Sequence, residues 1–140
     1  SSLLTLISKG ALALCDVLLR IDPVNSSHDV EQILSEGMPI ILQTGDLQLS
    51  SKGYYLLSYT FFMAKKEHLS DDELPRIDVY LSKSLLGFKK LRDLEWIRKC
   101  LQLQKRIALK NKDKKQQGDI SISIDRVEAE IESGDQYGLC

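Results

Sequence analysis

The sequence predicts an all-α chain of about five helices paired as antiparallel hairpins, with a polar C-terminal tail. Three observations predict it. Apolar residues recur at spacings of three and four through most of residues 1–111, the period of a helix with one buried face. Short polar or glycine-bearing breaks divide that stretch. Charge falls in blocks: net −4 over residues 1–88, +8 over 89–115 and −5 over 116–140, within an overall −1. The expected organisation is a helical domain at 1–111, a polar linker at 112–118 and an acidic tail at 119–140, partly disordered or docked. A chain of 140 residues buries enough surface to fold without a disulfide or metal staple.

The first helix is expected from Leu3 to Arg20, on Leu3, Leu4, Leu6, Ile7, Ala11, Leu14, Cys15, Leu18 and Leu19. Pro23 ends it, because a proline disfavours helix at the residue before it. Asn25, Ser26 and Ser27 read as a loop. The second helix runs from Asp29 to Gln43 on Val30, Ile33, Leu34, Met38, Ile41 and Leu42, with Pro39 expected to kink or split it. Gly45-Asp46 turns the chain. The third helix, Leu47 to Lys66, is apolar on most sides and should be the most buried element.

Ser70-Asp71-Asp72-Glu73 has the form of a capping box, in which a hydroxyl and a glutamate satisfy each other's backbone donors. Two further helices follow. Ile77, Tyr80, Leu81, Leu85, Phe88 and Leu91 mark one; Leu94, Ile97, Leu101 and Ala108 mark the next, with Trp96 beside them. One bent helix from Arg76 to Asn111 is the alternative. Ile120, Ile122 and Ile124 alternate with serines, a short strand pattern. Asp125 to Glu132 reads as a last short helix.

A shift of 47 residues lays Val30, Leu34 and Gly37 on Ile77, Leu81 and Ser84, and Gly45-Asp46-Leu47 on Arg92-Asp93-Leu94. Each copy places two large apolar residues and then a small one on a helix, followed by a turn into another helix. With Tyr80-Leu81-Ser82-Lys83-Ser84-Leu85, this resembles the second helix of a tetratricopeptide-like repeat over residues 29–111. The resemblance implies stacked helical hairpins whose concave face binds a partner's peptide or helix. An irregular bundle is the other architecture that fits.

Little here suits catalysis. A nucleophile needs a histidine base in reach, oriented by a third group, and only His28 and His68 exist. Gly10, Gly37, Gly45 and Gly53 are scattered, so no phosphate-cradling loop forms. Cys15, Cys100 and Cys140 lie too far apart in sequence for a zinc or redox motif. Cys15 and Cys100 sit on apolar faces and should be core thiols. No enzyme activity, cofactor or metal is expected. The longest uncharged run, Gly53 to Ala64, is shorter than the roughly 20 residues a membrane span needs. We expect no membrane contact and an intracellular site, cytoplasmic or nuclear. Ser1, in place of an initiating Met, suggests a fragment or subunit of a larger assembly.

The expected role is a protein-interaction scaffold. Tyr55, Trp96, Arg92, Arg98, Lys99, Lys105 and Arg106 are the candidate partner contacts, since Tyr, Trp and Arg dominate binding hot spots. Tyr54 reads as a core residue. The alternative is an accessory domain that binds RNA or DNA through Lys89, Lys90, Arg92, Arg98, Lys99, Lys105, Arg106 and Lys110. As one helix, residues 89–115 would carry a basic stripe about 40 Å long. The acidic tail has the sign to fold back on that stripe and mask it.

Overall fold

The computed structural model describes residues 2–64 and 72–136, which form six α-helices. They are α1 (Ser2–Ile21), α2 (Pro23–Gln43), α3 (Leu47–Ala64), α4 (Glu73–Leu91), α5 (Leu94–Lys110) and α6 (Lys114–Gln136). Each helix packs on its neighbours in sequence, whereas among the described residues no contact joins α2 to α4 or α4 to α6. In addition α1 touches α3, and α3 touches α5. The odd-numbered helices therefore form an inner row, and the even-numbered ones stand apart on the outside. The all-α class holds, with six helices where about five are expected.

Three of the turns share one construction: a residue at positive φ, then an aspartate whose side chain caps the next helix. Gly45, Arg92 and Lys112 have φ of 69°, 54° and 60°. Asp46, Asp93 and Asp113 accept from the backbone N–H of Leu49 (3.1 Å), Trp96 (3.2 Å) and Gln116 (3.0 Å). Each carboxylate thereby satisfies one of the orphan donors of a first turn. Asp22 caps α2 in the same way, accepting from Asn25 N–H at 3.2 Å.

Several boundaries differ from expectation. α2 starts at Pro23, not Asp29, because Asp22 caps it and proline suits the first helical position. Asn25 to Ser27 are thus helical. Pro39 lies on an exposed face and does not split α2. Arg92 and Asp93 separate α4 from α5, so there is no single bent helix from Arg76 to Asn111. Ile120, Ile122 and Ile124 do not form a strand. They lie in α6, where Ile120 and Ile124, one turn apart, are buried and Ile122 is exposed. Spacing i, i+4 serves a helix as well as alternation serves a strand. Val127 continues that face onto the core, so the tail docks as a helix. Only Asn111 to Asp113 interrupt helix between α5 and α6, so most of 112–118 is the start of α6. Ser70, Asp71, His68 and Cys140 lie outside the described residues; Asp72 precedes α4 without a side-chain capping bond.

Small residues set the closest helix approaches. Ser84 on α4 donates to the Ser51 carbonyl of α3 at 2.7 Å and lies 3.4 Å from Cys100 Sγ on α5. A Cβ on Gly87 would collide with Ser51 Oγ, and one on Gly53 would lie 2.5 Å from Met38 Sδ of α2. The core forms two clusters. One joins α1, α2 and α3 around Leu12, Leu34 and Ile41; the other joins α3 to α6 around Leu81, Phe88 and Leu103. Tyr55, Tyr59 and Phe61 of α3 touch both. Gly87→Val should therefore lower stability by about 1–3 kcal/mol through overpacking against Ser51. Arg92→Gly should raise it by about 1 kcal/mol, since glycine alone takes positive φ freely. Urea-unfolding midpoints of the two variants against the parent chain test both signs.

Candidate partner-binding groove

The inner row of helices lines a groove. α1 contributes Lys9, Ala13, Asp16 and Arg20. These positions, at i, i+4, i+7 and i+11, share one helical face. α3 contributes Lys52, Leu56 and Tyr59 at the same spacing, with Tyr55 beside them, and α5 contributes Trp96 and Lys99. Two adjoining hollows of about 240 and 450 Å³ share Asp16, Arg20, Leu56, Trp96 and Lys99.

Trp96 is the centre of the floor. Its ring stacks on Phe88 (5.0 Å between centroids, 15°) and meets Tyr55 edge-on (5.4 Å, 84°). Tyr55 in turn stacks with Tyr59 at 6.2 Å. Lys99 Nζ lies 4.3 Å from the Trp96 centroid and Lys52 Nζ 5.4 Å, so two ammonium groups sit against one indole. Further along α5, the Arg106 guanidinium lies 5.1 Å from the Phe62 centroid and its Nη2 is 3.5 Å from Met63 Sδ. Lys110 Nζ is 4.7 Å from the Phe62 ring. Basic heads thus run along an aromatic rail on α3 and α5.

The groove is electropositive. Its lining holds Lys9, Arg20, Lys52 and Lys99 against Asp16 alone, and Asp16 pairs with Arg20 at 2.9 Å. Burial pushes the Tyr55 hydroxyl up to about 12, helped by Cys100 and Tyr59 and opposed by Arg106. Burial likewise raises Cys15 and Cys100 to about 11 each, the Ser84 hydrogen bond opposing it at Cys100. These thiols are core residues, as the sequence suggests.

Of the residues singled out in the sequence, the structure brings Tyr55, Trp96 and Lys99 together, with Arg106 next along the rail. The others disperse. Arg92 is in the α4–α5 turn, Arg98 pairs with Glu95 at 2.5 Å, and Lys105 is exposed outside the groove lining. Lys89 and Lys90 end α4. The basic run of 89–115 is therefore not one helical stripe: two turns break it among α4, α5 and α6. Tyr54 is half-buried and stacks with Tyr80 at 5.9 Å on the outer side. Lys9, Lys52 and Tyr59 are groove residues that charge counting in sequence windows passes over. The signal for one of them is present: the 47-residue shift that reveals the repeat also lays Lys52 on Lys99.

His28 lies exposed on α2. Among the described residues, no three His, Cys, Asp or Glu side chains gather as a metal ion requires, and no helix is long and apolar enough to cross a membrane. Comparison with protein-family models, curated proteins and solved structures finds no match to the chain.

The raised Cys15, Cys100 and Tyr55 groups fix a pH dependence. Each is held protonated in the fold, so its contribution is intact below its ordinary value of 9.0 or 10.0 and fades as pH climbs toward 11 to 12. The urea midpoint should fall steadily above about pH 9. In a Cys140→Ser chain, thiol titration of the native protein at about pH 8 should leave both remaining cysteines unreacted, because the thiolate is the nucleophile.

Proposed function

We propose that the chain is a protein-interaction scaffold whose inner groove holds an acidic peptide or helix of a partner. One observation carries the reading: the half-buried Trp96 ring, flanked by Lys99 and Lys52, on a floor shared by three helices. A packed aromatic offers apolar area at low entropic cost. The surrounding lysines select a partner of opposite sign and speed its approach. Because the side chains stand on helices and not on loops, the site is preorganised, which reduces the cost of binding. The tetratricopeptide-like resemblance supports the same role, and the shared turn of Gly45-Asp46 and Arg92-Asp93 adds to it.

A second reading rests on the rail formed by Arg106, Lys110, Tyr59 and Phe62. Cations beside aromatic rings also suit single-stranded nucleic acid, whose bases stack while phosphates meet the cations. The peptide reading leads, because the groove's lysines gather at the half-buried Trp96 ring, which joins apolar area to positive charge in one place.

Fluorescence anisotropy separates the two. A labelled peptide of about fifteen residues, mixing Glu and Asp with Leu and Phe, should bind with micromolar affinity. The Lys52→Glu, Lys99→Glu double variant should weaken it about tenfold or more, with its thermal midpoint little changed. Labelled oligo-dT that binds instead, with affinity falling steeply as salt rises, would transfer the function to nucleic acid.

A further inference from the structure

α1 is covered on one side and bare on another. Ser8, Leu12, Cys15 and Leu19 are buried. Leu6, Leu14, Val17 and Ile21 are 68%, 50%, 50% and 75% exposed, along nearly the whole helix. Beside Gly10, in the middle of this stripe, no atom of the described residues lies within 4 Å of where a Cβ would be. A contiguous apolar stripe of this length on a protein surface marks an interaction site.

The chain itself indicates what belongs there. A shift of 43 residues lays α1 on α3. Buried Ser8, Cys15 and Leu19 fall on Ser51, Ser58 and Phe62, all buried. Lys9 and Ala13 of the groove fall on Lys52 and Leu56, also of the groove. The bare Leu6, Gly10, Leu14 and Val17 fall on Leu49, Gly53, Leu57 and Thr60, and on α3 every one of these is buried. At Gly53 the covering element is α2: an added Cβ would meet Met38 Sδ at 2.5 Å and Ile41 Cδ1 at 3.7 Å. Leu49 and Leu57 belong to the same core as Val30, Leu34 and Ile41 of α2.

We propose that the bare face of α1 seats an amphipathic helix from a partner protein, patterned as α2 is. Its apolar side chains recur every three or four residues, and a long unbranched one enters the notch at Gly10 as Met38 enters at Gly53. A second copy of this chain is the poorer occupant. Its α2 is engaged between α1 and α3 and its α4 between α3 and α5, while the outward side of α6 carries Asp125, Glu128, Glu130 and Glu132. This seat is independent of the inner groove, and the two can fail separately.

The probe is a labelled peptide of residues 23–43, the segment that covers α3, offered in trans to the full chain. It should bind saturably. Leu14→Asp in the chain should weaken binding at least tenfold while lowering the thermal midpoint only slightly, since Leu14 is half exposed and aspartate is a modestly poorer helix former. Gly10→Leu should also weaken it tenfold while raising the midpoint, because leucine favours helix over glycine. That pairing separates a filled notch from a damaged fold. The proposal is overturned if the peptide fails to bind, or if neither substitution weakens it. It is equally overturned if sedimentation shows a dimer of the parent chain that Leu14→Asp dissociates, since the occupant is then a second copy.

Discussion

The structure depends on how little chain it spends before α2, α3, α5 and α6. Gly45, Arg92 and Lys112 each adopt the left-handed conformation, and the aspartate that follows caps the next helix. A reversal this short leaves the incoming helix no choice but to run back along the one just completed. Repeated, it places α1, α3 and α5 in one row and α2, α4 and α6 outside it. The same device reaches the groove. The backbone N–H that Asp93 captures is that of Trp96, so the cap that starts α5 also fixes where the indole sits.

Short turns bring helices together, and small side chains decide how close they come. α3 bears this most, since it touches α1, α2, α4 and α5. Gly53 admits Met38 from one side, and Gly87 of α4 clears Ser51 on the other. Where α3, α4 and α5 meet, Ser84 uses its hydroxyl against a backbone carbonyl and a thiol. Among the described residues Ser51 Oγ is buried without a hydrogen-bond partner, a cost of roughly 1–3 kcal/mol that the tight α3–α4 crossing must offset. Tight crossings also place Tyr55 and Tyr59 within reach of both cores and of the groove at once.

What could be read in the sequence was whatever has a local period. The faces of α1, α3, α4 and α5 follow from spacing, and so do the core positions of Cys15 and Cys100. α6 was ambiguous for a physical reason: Ile120, Ile122 and Ile124 satisfy a strand's alternation, and only contact with α5 selects the i, i+4 pair. Composition alone makes α2 too short, because Asn25-Ser26-Ser27 has turn composition, which Asp22 and Pro23 override from the N-terminal side. The groove was legible only in part. Tyr55, Trp96 and Lys99 stand out as residue types, yet the lysines that complete the site are more than 40 residues apart in sequence. A tally over 89–115 gathers charges that the turns then scatter, and it misses those the fold collects.

The outermost described helices, α1 and α6, differ in what they expose. Stacked helical hairpins need a polar outer face at an end if they are not to keep adding units. α6 supplies one: its buried residues are the isoleucines turned to α5, and its exposed positions are mostly polar or charged, with Asp125, Glu128, Glu130 and Glu132 in its C-terminal half. α1 does not, since leucine and valine stand where α3 is covered by α2. The inner groove runs across α1, α3 and α5 and involves neither the α1 stripe nor α6. A partner seated on α1 would therefore extend the wall beside Lys9 and Asp16 without entering the groove, so both surfaces can be occupied at once.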